Sequence, residues 1–99
     1  MPKPLDELRA ADFEALLHQR FTVVQNEGDL ALELAEVRAL PPHARREAPF
    51  ALLFRGPRHP VLPQRVHTLV NPQVGALAIF LVPVQGSEGS GVAYEAIFN

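Results

Sequence analysis

The chain contains four histidines and no cysteine, so few of its residues could bind a metal or act as a catalytic nucleophile. Without cysteine it has no disulfide, no thiolate metal ligand and no cysteine nucleophile. A metal site needs three or four converging ligands, and no two histidines are spaced to share one face of a helix or strand. We therefore expect no metal and no cofactor. The histidines are His18, His43, His59 and His67.

The remaining groups that could do chemistry are carboxylates and hydroxyls. Glu33 and Glu95 could form a glycosidase-like pair if neighbouring strands held their carboxyl groups about 5–10 Å apart, but glutamates on strands usually face solvent. Ser87 and Ser90 lie in a glycine-rich stretch that lacks a nucleophile elbow and the spacing of a phosphate-binding loop. We predict that the protein is not an enzyme. An enzyme would need His67 and a glutamate to converge in a pocket.

One segment in the middle of the chain has the features of a recognition loop. Gly56 permits a positive φ or a close backbone approach, and Pro57 and Pro63 stiffen the segment. Arg55 and Gln64 place planar hydrogen-bond donors at its two ends. We interpret the segment as an interaction loop. Its candidate binding residues are Arg55, Gly56, Pro57, Arg58, Gln64 and Arg65.

The sequence leaves two roles open for Arg55. Its guanidinium group could contact a partner, or it could form an ion pair with Glu47 or Glu95 and simply hold the loop in place. The two roles predict different effects of removing the side chain. Recognition would make Arg55 matter for binding, whereas an internal ion pair would make it matter for stability.

Charge is distributed in blocks, although the net charge is only −2. Residues 1–47 carry nine acidic and six basic side chains, whereas residues 48–87 carry three arginines and no acid. If folding kept these blocks apart, the basic part could meet an acidic partner or another copy of the chain. If folding interleaved them, the charges would cancel. The pI of about 6.0 argues against nucleic acid as a partner.

The spacing of apolar residues predicts one short helix followed by strands. Apolar residues recur every three or four positions over about residues 5–18, which indicates an amphipathic helix. Alternatively, Asp12 caps a shorter helix over 13–18. Over about residues 20–98 the period is two, which indicates six strands joined by short turns. Because no helix separates any two strands, neighbouring strands must be antiparallel.

Two strands have unusual patterns. The leucines of the second strand share one face but Val37 falls on the other, so we expect a bulge near Ala35. Residues 74–84 are nearly all apolar, which predicts a strand buried on both sides, with the second side covered by the helix, by barrel curvature or by another subunit. We predict a mainly β fold over residues 1–99, a single domain. Its architecture is a small six-stranded antiparallel barrel or rolled sheet with a short N-terminal α-helix.

The sequence also predicts a cytoplasmic protein with no membrane contact. No apolar run approaches the roughly 18 residues of a membrane-spanning helix. The first residues, Met1-Pro2-Lys3-Pro4, lack the apolar stretch of a signal peptide.

Several short motifs occur together along the chain. They are Leu5-Asp6-Glu7-Leu8, Phe54-Arg55-Gly56-Pro57, Leu62-Pro63-Gln64, Phe80-Leu81-Val82-Pro83 and the final Tyr94-Glu95-Ala96-Ile97-Phe98-Asn99. In combination they resemble an uncharacterised bacterial family of about 100 residues. The resemblance covers nearly the whole chain and brings no activity or catalytic residues with it. It implies a structural or accessory role linked to phage-tail-like systems.

These observations lead to two hypotheses about function. The first is a non-enzymatic protein-interaction or assembly domain, whose loop and basic middle segment contact a protein partner or a second copy in a homo-oligomer. The alternative is a β-barrel that binds a small ligand in its mouth, with Arg55, Gln64 and His67 as polar contacts.

Overall fold

The computed structural model describes residues 8–26, 28–42, 48–84 and 91–98. It is mainly β, with a closed six-stranded antiparallel barrel and one short N-terminal helix, which confirms the predicted fold class. In chain order the elements are α1 (Ala10–Glu14), β1 (Arg20–Val23), β2 (Leu30–Ala39), β3 (Phe50–Pro57), β4 (Arg65–Asn71), β5 (Gly75–Val84) and β6 (Gly91–Phe98).

The barrel closes in the order β1-β2-β3-β6-β5-β4, with β4 pairing back onto β1. This order places β3 and β4, which follow each other in sequence, three positions apart and therefore on opposite sides of the barrel. Only two residue pairs join β1 to β4: Thr22 with Val70, and Val23 with Leu69. Closure nevertheless leaves no strand of the barrel with a free edge.

The second strand contains the predicted bulge. Its pairing with β3 shifts between Leu34 and Glu36, which places the extra residue at Ala35. An inserted residue reverses the facing of the side chains that follow it. Val37 consequently packs against the core, and the negative charge of Glu36 stays on the outer surface.

Aromatic side chains fill one end of the barrel. The ring of Phe13, from α1, lies 5.7 Å from that of Phe50 and 5.6 Å from that of Phe98. Phe50 and Phe98 are themselves stacked, with centroids 4.7 Å apart. Tilted and stacked arrangements at these distances are favourable for aromatic pairs. The short helix is therefore held by its packing on the barrel end rather than by its length.

The helix is shorter than predicted. It spans Ala10–Glu14 rather than 5–18, and residues 5–7 lie outside the described part of the chain. After the helix the chain turns, and His18 adopts a positive φ of 69°. There its N–H donates to the carbonyl of Leu34 at 2.7 Å, because the chain must already align with β2 at this point.

Asp12 is not the residue that caps the helix. The cap is Arg9, and Asp12 lies three residues further on, in the first turn. Its carboxylate accepts a hydrogen bond from the Arg9 N–H at 2.8 Å, which satisfies one of the donors left free at a helix N-terminus. The alternative helix over 13–18 is therefore also wrong.

Among the described residues, no helix has the length and apolar character needed to cross a bilayer.

Within one chain the fifth strand is buried on one side only, so neither the helix nor the curvature of the barrel covers its second side, and cover by another subunit stays a prediction. The helix closes the end of the barrel instead of covering its side, and no described residue covers the outer face of β5. Its alternating side chains therefore divide between core and solvent. Those in the core are Leu77, Ile79 and Leu81, and those on the outside are Ala76, Ala78 and Phe80.

We expect Phe54→Ala to lower the free energy of unfolding by about 3–5 kcal/mol, because it leaves a cavity in the core. Phe54 is fully buried and meets the ring of Phe21 edge-to-face at 5.3 Å. Phe80→Ala makes the same truncation on the outer surface and should cost about 0.5 kcal/mol or less. Urea denaturation followed by circular dichroism measures both. Equal losses would contradict the assignment of inward and outward faces.

Candidate functional site

The proline-rich connection between β3 and β4 is held against the barrel by two hydrogen bonds. Leu62 is buried in the core, and its N–H donates to the hydroxyl of the buried Tyr94 at 2.9 Å. Nε2 of the buried His67 lies 2.8 Å from the carbonyl oxygen of Pro63 and must donate, because a carbonyl only accepts. The connection therefore covers the end of the barrel opposite α1 and is fixed at its middle.

Arg55 lies on the outer face of β3, just before this connection. Its side chain is exposed and forms no hydrogen bond or ion pair with any described residue. In the register of the sheet it lies opposite Glu33 of β2, whereas Glu95 lies opposite Leu53. Glu47, the other carboxylate considered for an ion pair, lies outside the described residues. Among the described residues, the guanidinium group of Arg55 therefore has no internal partner.

Arg55 lines a surface concavity of about 370 Å³, which we call the arginine concavity. Three neighbouring strands place outward side chains in one row across it: Arg20 of β1, Glu33 of β2 and Arg55 of β3. Adjacent strands lie about 4.8 Å apart, so the Cα atoms of the two arginines are separated by about 10 Å. The rest of the lining comes from His18, Ala31, Leu32, Gly56 and Pro57.

The charges in the arginine concavity do not cancel. Its one carboxylate, Glu33, is contacted by Nδ1 of His18 at 3.2 Å. Neither Arg20 nor Arg55 forms an ion pair with a described residue. Guanidinium groups bind carboxylate and phosphate groups through two parallel hydrogen bonds. The concavity therefore offers two such groups to an anionic ligand.

A buried amide fixes the backbone of Arg20. The side chain of Asn71, at the end of β4, is 1% exposed. Its Nδ2 donates to the Arg20 carbonyl at 3.1 Å and to Oε1 of Gln19 at 3.3 Å, and its Oδ1 accepts from the Gln73 N–H at 2.8 Å. A polar side chain this deep is stable only when its hydrogen bonds are made. Asn71 consequently ties the start of β1 to the end of β4.

At Gly56, β3 passes close to side chains of the core. A β-carbon at this position would lie 2.5 Å from Cδ2 of Leu32, well inside van der Waals contact, and 3.5 Å from the ring of Tyr94. The glycine therefore lets β3 approach a filled interior closely, next to the outward Arg55. Its φ is not in the left-handed region, so close approach is the reason for glycine here.

The six predicted binding residues do not form one surface. Because β3 and β4 lie on opposite sides of the barrel, the residues at the two ends of the connection are separated by its width. The first group lines the arginine concavity, and the second is exposed near the start of β4. The groups are Arg55, Gly56 and Pro57, then Gln64 and Arg65, with Arg58 exposed between them.

The polar contacts proposed for a small ligand are likewise separated. Arg55 lies outside the barrel, whereas His67 lies inside it and is bonded to Pro63. Gln64 is exposed beside β4. In the described part of the chain, no three histidine, aspartate or glutamate side chains are grouped as metal ligands. His67 makes no hydrogen bond to a carboxylate there either.

The carboxylates considered as a catalytic pair are not neighbours. Glu33 and Glu95 lie on β2 and β6, with β3 between them and in different rows of the sheet. Glu95 instead shares a shallow depression with Glu36, across Leu53. Oε2 of Glu36 accepts hydrogen bonds from the guanidinium of Arg38 at 2.8 Å, so it is already paired. Ser87 and Ser90 lie outside the described residues.

On the other side of the barrel, β4 and β5 present an exposed surface without charge. Val66 and Phe80 are direct cross-strand partners and are 57% and 48% exposed. The row beside them pairs Thr68 with Ala78, and the N–H of Val24 donates to the Thr68 carbonyl at 2.9 Å, which extends the surface toward β1. We call this surface the uncharged wall. It consists of Val24, Val66, Thr68, Val70, Ala76, Ala78 and Phe80.

Tyr94→Phe should lower the free energy of unfolding by about 1–3 kcal/mol, because the buried Leu62 N–H loses its acceptor. Hydrogen exchange of the Leu62 amide should accelerate as well. Arg55→Ala should change the free energy of unfolding by about 0.5 kcal/mol or less, since this side chain has no partner among the described residues. A large loss for Arg55→Ala with none for Tyr94→Phe would assign the fixing of the connection to Arg55 instead.

Comparison with known proteins identifies the family but no activity. A family model described as Domain of unknown function (DUF6916) matches residues 8–98. No curated protein and no solved structure matches the chain. The match covers almost the whole barrel and α1, in agreement with the resemblance to an uncharacterised family. The chain therefore belongs to the DUF6916 family, a domain family of unknown function.

Proposed function

We propose that this chain is a non-enzymatic protein-interaction domain that assembles through the uncharged wall, with a second copy of itself as the partner. One observation carries the proposal. Val66 and Phe80, two large apolar side chains, face each other across neighbouring strands and are about half exposed, on a surface that holds no charged residue. A pair of large apolar side chains on an uncharged surface supports contact with another molecule, because such contact removes apolar area from water.

Covering the wall would be favourable. Each Å² of apolar surface removed from water contributes about 25 cal/mol. Val66 and Phe80 lie side by side, so one contact would cover both. The alternate residues of the same strands already fill the core, which leaves these side chains no way to turn inward. Their burial therefore requires another molecule.

The shape of the wall favours a second copy. Along β5 the outward residues are two small side chains followed by a large one: Ala76, Ala78 and Phe80. A twofold axis near Ala78 would set the ring of Phe80 in one copy over Ala76 in the other, and the reverse. Because the wall carries no charge, bringing two copies together meets no repulsion there.

The size of the wall predicts a weak contact. Each outward residue of a sheet covers about 30 Å² in projection, so the seven residues span roughly 200 Å². A standard interface buries about 800 Å² on each partner. Self-association should therefore be reversible and concentration-dependent. An assembly role of this kind is also what the resemblance to the family implies, as a structural or accessory part of phage-tail-like systems.

Self-association should be weakened in Val66→Lys, because the variant places a charge within the contact, beside Phe80. Sedimentation or light scattering over a series of concentrations should show wild-type dimers at high concentration and an apparent Kd raised about tenfold or more in the variant. Val61→Lys is the matched control, since Val61 is 53% exposed but lies in the connection, outside the wall. A wild-type chain that stays monomeric throughout, or equal effects of the two lysines, would contradict the proposal.

A further inference from the structure

The geometry of the arginine concavity suits two separate negative charges rather than one. Arg20 and Arg55 are carried by the strands on either side of β2, about 10 Å apart at their Cα atoms. Glu33 lies between them in the same row. A single oxyanion seated midway would meet the carboxylate of Glu33. Each guanidinium can instead take one anionic group on its own side of β2.

The balance of charge in the concavity favours a carboxylate ligand. His18 contacts Glu33 at 3.2 Å, so the only carboxylate in the lining already has a polar partner. Two guanidinium groups then remain without partners among the described residues. With His18 neutral, Arg20 and Arg55 against Glu33 give the lining a net charge of +1, which attracts an anion, and planar carboxylates fit the donor fork of each arginine in a bidentate arrangement.

The space in the concavity suits a polypeptide. Its volume of about 370 Å³ exceeds what a small anion needs, and it is open to solvent along the outside of three strands. In an extended segment, side chains on one face recur about every 7 Å. Two acidic side chains at alternate positions could therefore reach the two guanidinium groups, since arginine side chains are long and flexible.

We infer that the arginine concavity binds an acidic protein segment, with Arg20 and Arg55 each pairing with one carboxylate of an extended chain. This site is independent of the proposed self-association. It lies on β1, β2 and β3, and none of its residues belongs to the uncharged wall. The two surfaces would let one barrel contact a second copy and an acidic partner at the same time.

A titration of the ¹⁵N-labelled protein with a synthetic hexaglutamate peptide tests this inference. Amide signals of Arg20, Ala31 and Gly56 should shift, and binding should weaken as salt is added. Arg20→Gln and Arg55→Gln should each weaken binding about tenfold or more, because each removes a charge-assisted pair. Arg65→Gln is the matched control: Arg65 is also exposed, but on the opposite side of the barrel.

Two results would overturn the inference. The first is binding that all three glutamine variants weaken equally, or that none weakens, which would mean non-specific attraction or no site. The second is tighter binding of inorganic phosphate than of the peptide at the same amides, which would assign the concavity to a single oxyanion. Val66→Lys should bind hexaglutamate as the wild type does, so this site and the uncharged wall can fail separately.

Discussion

Closure of the sheet is the constraint on which the rest of the structure depends. Because the sheet closes in the order β1-β2-β3-β6-β5-β4, β3 and β4 lie on opposite sides, and the connection from Pro57 to Arg65 must cross the end of the barrel. Such a crossing exposes backbone groups to a dry interior, where an unmade hydrogen bond is costly. The hydroxyl of Tyr94 resolves this by accepting from Leu62. Within the barrel, the pairing of β1 with β2 and of β2 with β3 places Arg20 in one row with Glu33 and Arg55.

Buried side chains occupy the interior of the barrel, and both proposed surfaces lie on its outside. Phenylalanines, leucines and one tyrosine occupy the inside of the barrel, and α1 and the β3–β4 connection cover its two ends. The outer surface then divides into two parts of different chemistry. One carries two guanidinium groups that have no ion-pair partner in the described ranges, on either side of Glu33, and the other carries the uncharged Val66–Phe80 pair. A small barrel can in this way serve as a connector between unlike surfaces.

Much of the fold could be predicted from the sequence, because the two-residue period alone decides strand and facing. Val37 is apolar but falls on the outward side of the two-residue alternation, and this mismatch located the bulge. The site could not be predicted in the same way, since the row of Arg20, Glu33 and Arg55 depends on register and strand order, which periodicity does not contain. For β5, apolar composition suggested two-sided burial. Amino-acid composition does not say which neighbours cover a side chain, and Phe80 is 48% exposed.

The seam between β1 and β4 carries a consequence for dynamics. Two residue pairs join these strands, together with the backbone bond from Val24 to Thr68 and the Asn71 side-chain bond to Arg20, whereas eight residue pairs join β3 to β6. Backbone fluctuations open a structure where fewest interactions must break at once. We therefore expect the pairing of β1 with β4 to open first, which would briefly expose the edges of both strands. At high protein concentration, two chains could exchange their β1 strands through this opening and form domain-swapped oligomers, which the closed barrel does not allow.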